Sequence, residues 1–315
     1  MLYDIIKVIQ ESETTGLLKG NDDVELAGFS GTKLLGTLQR LVKLFSTQGN
    51  TCYLEIGVFQ GLTLCLSSLA CPNFPCYGID NFAFFDPEKK NLSIVQERIE
   101  KLDLNNTHLI NQDYEDALEN LRIYIGEKKI GVYFIDGPHD YRSQLMCLQL
   151  ALPYLHEQAV IIVDDSNYRH VRQANRDFLV THPEYKLIFE AYTPCHPQNM
   201  TSEQEQQARK GWWNGVNIIV RDLEQKLSPM YPPTERSREL YENEHIIHSS
   251  KFAELAPNTI ELITKLEHLN LFGFFKQLGL IKYRLIKNDN YNRAKYYHLN
   301  TYSDILPEQR YNDPK

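Results

Sequence analysis

The sequence is poor in the features that mark secreted, membrane-spanning or nucleic-acid-binding chains. Six of its 315 residues are cysteine. Cys52, Cys65 and Cys147 lie in apolar segments and read as small buried hydrophobes. Cys71 and Cys76 flank Pro72 and Pro75, but no second Cys/His pair with zinc spacing accompanies them, so a metal staple is not indicated. Reduced thiols in a cytoplasmic protein are the expectation. The start, MLYDIIKVIQESE, lacks a basic stretch followed by an apolar core, so no signal peptide is expected. The most apolar late segment, Leu269 to Ile281, is interrupted by Gly273, Lys276 and Gly279 and is too short to span a bilayer. A soluble chain without a membrane partner is therefore expected. The formal net charge is -8 and Lys and Arg form no run, which argues against a nucleic-acid partner. The Gly-x-Gly-x-x-Gly pattern that seats a dinucleotide pyrophosphate is also absent.

What is present is alternation. From Thr51 to about Asp222, strand-like and helix-like runs follow one another, the pattern of a parallel sheet with covering helices. TCYLEIGV, CYGID, THLINQD, GVYFIDG and AVIIVDDS read as five strands with their turns. Helices are expected over Leu62–Leu69, Leu92–Leu102, Tyr114–Ile125 and Tyr141–Leu155. YFI and VIIV are apolar on both faces, as a sheet covered on both sides requires. KLIFEAYT and GVNIIVRD suggest a closing strand pair, separated by a polar stretch from Pro194 to Gly215 too long for a tight hairpin. Lys33 to Phe45 carries apolar residues at helical spacing, and Lys251 to Ile286 reads as mainly helical. The division implied is an N-terminal helical cap (1–50), a central domain (51–225) and a mainly helical C-terminal extension (226–315). The added helices offer a lid or a homodimer contact.

Five clusters carry chemistry. In Glu55-Ile-Gly57-Val-Phe-Gln-Gly61, a glycine turn between strand and helix lets backbone approach a ligand, and the Glu55 carboxylate suits a cationic or donor-rich one. An ordinary strand–helix turn is the plain alternative. Asp80 ends the second strand, where a carboxylate can accept from both hydroxyls of a ribose. Asp113-Tyr114 follows the third strand, where the acid can accept from an adenine amino group or cap the next helix. Asp136-Gly-Pro-His139 and Asp164-Asp165-Ser166 end the fourth and fifth strands. Carboxylates converging there repel one another, which a hard dication would relieve while holding a substrate oxygen. His139 can take a proton from a hydroxyl; capping aspartates and a structural histidine are the alternatives. Trp212 and Trp213, before the last strand, either cover a substrate pocket or pack.

On these residues the sequence resembles the class I S-adenosylmethionine-dependent methyltransferases, over about Leu34 to Asp222. LEIGVFQG is similar to the family's first motif, YGID to its second and INQDY to its adenine-side motif. FIDGPHDY followed by IIVDDS is similar to a subgroup with Asp-Gly-x-His-x-Tyr after the fourth strand, near the sugar and catechol O-methyltransferases. The resemblance implies an α/β, Rossmann-like doubly wound fold with a mostly parallel seven-stranded sheet and helical additions at both ends. It implies S-adenosylmethionine as cofactor, held by Glu55, Gly57, Phe59, Gly61, Thr63, Asp80, Asn81, Asp113, Tyr114 and Asp136. It implies Mg2+ on Asp136, Asp164 and Asp165, and O-methylation of a small-molecule acceptor such as a sugar or secondary metabolite. Where the sugar-type enzymes place a base aspartate, this chain has Pro138, and His139, with Asp136, takes the catalytic role instead. An inactive cofactor-binding protein of the same fold and a nucleotide-dependent oxidoreductase are the competing readings.

Overall fold

The computed structural model describes residues 1–18, 26–83, 85–234, 255–286 and 306–314. At its centre stand the five strands expected from the alternation: β1 (Thr51–Ile56), β2 (Cys76–Ile79), β3 (Thr107–Ile110), β4 (Lys129–Ile135) and β5 (Leu155–Val163). They are mutually parallel, paired β3-β2-β1-β4-β5. β6 (Tyr185–Ala191) and β7 (Val216–Arg221) form the antiparallel closing pair, with β7 inserted between β5 and β6. Among the described residues the sheet has eight strands, not seven. β8 (Gln309–Tyr311) comes from the C-terminal tail and pairs with β6. Its short polar sequence, Gln-Arg-Tyr, carries no strand periodicity, and partners outside the strand hold it. Asn312 donates to Leu187 O at 3.0 Å and to Ser228 O at 2.7 Å, and Arg310 pairs with Glu190.

Successive residues of one strand serve opposite cores, the period-two consequence of the pleat. In β1, Leu54 and Ile56 face one apolar cluster and Tyr53 the other; in β4, Tyr133 and Ile135 oppose Val132 and Phe134. One face is covered by α5 (Tyr114–Glu119), α6 (Arg122–Ile125), α7 (Tyr141–Ala151) and α8 (Arg169–Thr181). The single helix expected over Tyr114–Ile125 is two: Asn120 Nδ2 donates to Asp116 O at 3.0 Å, a local bond that competes with helix continuation.

The opposite face is covered by α1 (Leu2–Thr15), α2 (Thr32–Phe45), α3 (Leu62–Ala70) and α4 (Asn91–Lys101). α2 buries Leu34, Leu38, Leu41, Val42 and Phe45 on one stripe. Phe45 reaches the sheet because Gly131 has no side chain; a Cβ there would lie 2.4 Å from the Phe45 ring. α1 docks through Ile5 and Ile9, and Arg40 locks it by donating to Gly16 O at 2.7 Å and Thr15 Oγ1 at 2.6 Å. The loop between β6 and β7 carries α9 (Ser202–Lys210), opened by a reciprocal Thr201–Gln204 capping box. Its end meets the start of α2, where Lys33 N donates to Gly211 O at 3.1 Å.

In the C-terminal extension, α10 (Ala256–Glu267) and α11 (Leu271–Ile286) form a helical hairpin. The first residues of the Lys251–Ile286 segment, 251–254, lie outside the described residues. No helix among the described residues is long and apolar enough to cross a membrane.

Candidate functional site

The sheet order reverses between β1 and β4, because the chain runs from β1 outward to β3 and then returns to β4 on the other side. A crevice opens at such a point, outside the carboxyl ends of the strands. Register brings the candidate residues there in line. Gly57 N donates to Ile79 O, Asp80 N to Ile110 O, Asp136 N to Ile56 O and Asp164 N to Ile135 O, all within 2.9–3.1 Å. Each residue is the first beyond its strand, so the four turns share one edge.

Glu55 is fully buried at the end of β1. Tyr53 donates to its Oε2 at 2.5 Å and Thr63 to its Oε1 at 3.2 Å. Burial, only partly offset by these donors and reinforced by the Asp136 and Asp80 charges, raises its pKa to about 8. Gly57 has φ 87, and a Cβ on it would fall 1.8 Å from the carbonyl oxygen of Asp136. The turn therefore passes over the end of β4 at a distance only glycine permits. Phe59 holds a positive φ of 51 and Gly61 caps α3 at φ 81. Asp80 holds the turn: its Oδ2 accepts from Val58 N and Phe59 N, both at 2.8 Å, and its Oδ1 from Phe82 N at 2.7 Å. Asn81 Oδ1 accepts from Ala83 N at 3.0 Å.

Asp113 is the N-cap of α5 and accepts from Glu115 N at 2.9 Å, the capping alternative read from the sequence. Tyr114 packs against the apolar cluster of that face and donates to Glu115 Oε1 at 2.9 Å.

At the ends of β4 and β5, one ligand atom from each of Asp136, His139 and Asp165 lies within 4.8 Å of the others. His139 Nε2 is 2.7 Å from Asp165 Oδ2 and 3.6 Å from Asp136 Oδ1. Burial alone would lower the His139 pKa, but Asp165 and Asp136 push it up to about 10. Withdrawal from water raises the Asp136 carboxyl, while the imidazolium holds Asp165 below the usual carboxylate range in spite of its burial. Asp164 is buried and its carboxyl is raised, first by burial and then by the Asp136 charge. It is absent from the three-residue cluster: its Oδ1 accepts the backbone N–H of Asp165 at 2.9 Å. Asp165 itself sits at φ 53.

Three participants escaped the sequence reading. Tyr168 stacks on the His139 ring, with centroids 5.0 Å apart and planes 10° apart. His196, from the polar β6–β7 loop, lies 3.1 Å from the Tyr168 hydroxyl, and burial lowers its pKa to about 4. Asn214 donates to Asp165 Oδ1 at 2.7 Å. For His196 and Asn214 the one signal was the long loop itself, which folds back over the strand ends; Tyr168, between β5 and α8, carried none. Beside it runs an aromatic wall. Phe29 lies 5.5 Å from Phe59 and 6.3 Å from Trp213, and Arg209 sits 4.6 Å above the Trp213 ring. Of the tryptophan pair, Trp212 packs on Phe189 in the core and Trp213 borders the site.

Residues 54–166 match the family model of a methyltransferase domain. No curated protein sequence matches the chain. Among solved structures it is similar to the O-methyltransferase of Bacillus cereus in complex with SAH, at 16% identity, covering 70% of this chain and 91% of that one with a TM-score of 0.45. It is similar to the Streptomyces achromogenes O-methyltransferase of tomaymycin synthesis in complex with SAM, at 15% identity, 70% and 89% coverage and a TM-score of 0.44. A Podospora anserina methyltransferase bound to SAH stands at 13% identity, 70% and 88% coverage and a TM-score of 0.43.

Proposed function

We propose that this chain, whose residues 54–166 match a methyltransferase domain, transfers a methyl group from S-adenosylmethionine to a hydroxyl of a small molecule. The observation that carries the proposal is the meeting of Glu55, Asp80 and Asp136 at the switch point, inside the matched segment, where the Asp136 and Asp80 charges raise the cost of ionising Glu55 and the Asp80 charge that of Asp136. Such a site suits a cation. It would repel the pyrophosphate of a dinucleotide, which agrees with the missing glycine fingerprint. A sulfonium with an α-ammonium group has the chemistry that fits. Glu55, Gly57, Gly61 and Thr63 would hold its methionine end, with Phe59 beside them. Asp80 and Asn81 would hold the ribose, and Asp113 and Tyr114 would flank the adenine. Asp80 already accepts from the backbone N–H groups of Val58, Phe59 and Phe82, so it also fixes the turn that receives the cofactor. When bound, that cofactor supplies an electrophilic methyl group.

The chain's own task is positioning, since in-line methyl transfer needs little covalent help. The aromatic wall of Phe29, Phe59 and Trp213 would orient the acceptor. His139, stacked on Tyr168, would take the acceptor's proton in its neutral imidazole form, which the Asp165 and Asp136 charges disfavour below about pH 10. Asp136 and Asp165 are the oxygen ligands we assign to a divalent cation such as Mg2+, a hard ion that prefers carboxylate oxygen; His139 completes their cluster and Asp164 stands outside it. When bound, that ion would lower the acceptor's pKa and balance the carboxylates that otherwise keep His139 charged. Cys52, Cys65, Cys71, Cys76 and Cys147 are free thiols, which suits a reducing compartment such as the cytoplasm.

Transfer of labelled methyl from S-adenosylmethionine to a panel of hydroxylated sugars and phenols tests the reading. Turnover that EDTA abolishes and Mg2+ restores is the expected result. Full activity in EDTA, or in Asp165→Asn, would remove the metal from the mechanism; no transfer to any acceptor would leave a cofactor-binding protein.

A further inference from the structure

Most water-soluble helical hairpins bury apolar residues between their helices and turn charge outward. The α10–α11 hairpin does the reverse. Its internal contacts are polar: Gln277 donates to Asn258 O at 3.3 Å and Arg284 to Asn258 Oδ1 at 2.5 Å, and Gln277 and Asn258 are the buried residues. Most of the apolar side chains point out, with Leu262, Phe274 and Ile281 half-buried. Of the large hydrophobics exposed among the described residues, more than half fall between Ile260 and Ile286. The extreme cases sit at and just after the turn, with Leu269 80% and Phe272 84% exposed, followed by Phe275 at 66%. A monomer seldom leaves so large an apolar surface without use.

Charge selects the occupant. The whole chain carries -8, yet α11 contains Lys276, Lys282 and Arg284 and no acidic residue. Lys276 and Lys282 are exposed among the apolar side chains. Their aliphatic stems can lie on an apolar surface while the ammonium groups reach an anionic layer above it. A second copy of the chain meets this surface poorly, because a twofold contact of α11 with itself sets the exposed Lys276 and Lys282 of one copy against those of the other. At about 24 Å, from 16 residues at about 1.5 Å each, α11 lies along a bilayer surface better than it crosses one.

We infer that the α10–α11 hairpin is an interfacial anchor that docks this chain on an anionic lipid surface, with Leu269, Phe272 and Phe275 entering the apolar boundary and Lys276 and Lys282 engaging headgroups. This departs from the expectation, drawn from hydropathy alone, that no membrane is a partner. It is independent of the methyl-transfer reading.

Flotation of the full-length chain with vesicles decides it. One set is phosphatidylcholine alone and the other contains phosphatidylglycerol. The chain floats with the phosphatidylglycerol vesicles at low salt, stays behind with neutral ones, and is released at 1 M salt, where the screening length falls to about 3 Å. Phe272→Ser/Phe275→Ser and Lys276→Glu/Lys282→Glu each reduce the bound fraction at least tenfold with unchanged circular dichroism and melting temperature. These positions are exposed, so folding is not at risk. Absence from both vesicle types overturns the inference. So does binding that survives Lys276→Glu/Lys282→Glu, and so does a dimer in sedimentation analysis that Phe272→Ser/Phe275→Ser dissolves while vesicles remain unbound.

Discussion

A carboxyl group raised to about 8 by burial makes Glu55 a reporter of the site. The native protein keeps this proton between the ordinary glutamate range and about pH 8, while the unfolded chain releases it. The stability that follows is fully present below the unfolded pKa and is lost as pH climbs through the window up to about 8. The slope approaches 1.4 kcal/mol per pH unit, an order-of-magnitude figure for one proton. Asp136 and Asp164 are raised as well and add slope of the same sign, so the informative quantity is a difference. Urea unfolding at intervals from pH 5 to 8 should show Glu55→Gln with a flatter dependence than the parent chain. Equal slopes would contradict the burial argument. A cationic ligand needs the ionised carboxylate, so its affinity should rise with pH over the same window.

Gly57 permits a second residue-level expectation. Alanine there would meet both an unfavourable φ of 87 and the Asp136 carbonyl at 1.8 Å. Backbone strain of this kind costs about 1–3 kcal/mol, and the overlap adds to it. Gly57→Ala should therefore lower the melting temperature by several degrees and abolish cofactor binding, whereas Gly126→Ala, also at positive φ but with open space around it, should cost stability alone. His139→Ala should leave cofactor binding intact and slow methyl transfer by about 10²-fold or more, the scale of general-base assistance.

At the level of elements, the sequence was most informative where periodicity and function coincide. β1, β4 and β5 are long apolar runs ended by acids, and both their strand character and the carboxylates at their ends could be read directly. Lys33–Phe45 showed its buried stripe through leucine spacing alone. β8 could not be read, because Gln309–Tyr311 has no alternation and is held by partners distant in sequence. The same is true of the site: Glu55, Asp80, Asp136, His139 and Asp165 announced themselves as strand ends, whereas His196 and Asn214 reach it through a loop whose path no local pattern encodes. β8 also permits a stability test. Glu190 is fully buried, bonded to Tyr192 at 2.7 Å and paired with Arg310. Arg310→Ala strands that carboxylate, at a cost of about 1–3 kcal/mol once the exposure of Arg310 is allowed for. Arg310→Ala/Glu190→Gln should recover part of the loss in urea unfolding; no difference between the two variants would deny the pairing its role.

As a whole molecule, the chain is a doubly wound sheet with an acidic switch point, over which the β6–β7 loop folds, and the proposed function assigns a sulfonium cofactor to that point. On the proposed function, the acceptor would stand between the aromatic wall and His139 and would need the cofactor in place. Isothermal titration of the full-length chain with S-adenosylhomocysteine at pH 8 tests this most directly. Binding with one-to-one stoichiometry, lost in Gly57→Ala and in Asp80→Ala, with no heat from NADH, is the result the account predicts. Silence toward S-adenosylhomocysteine, or heat from NADH in its place, would contradict it.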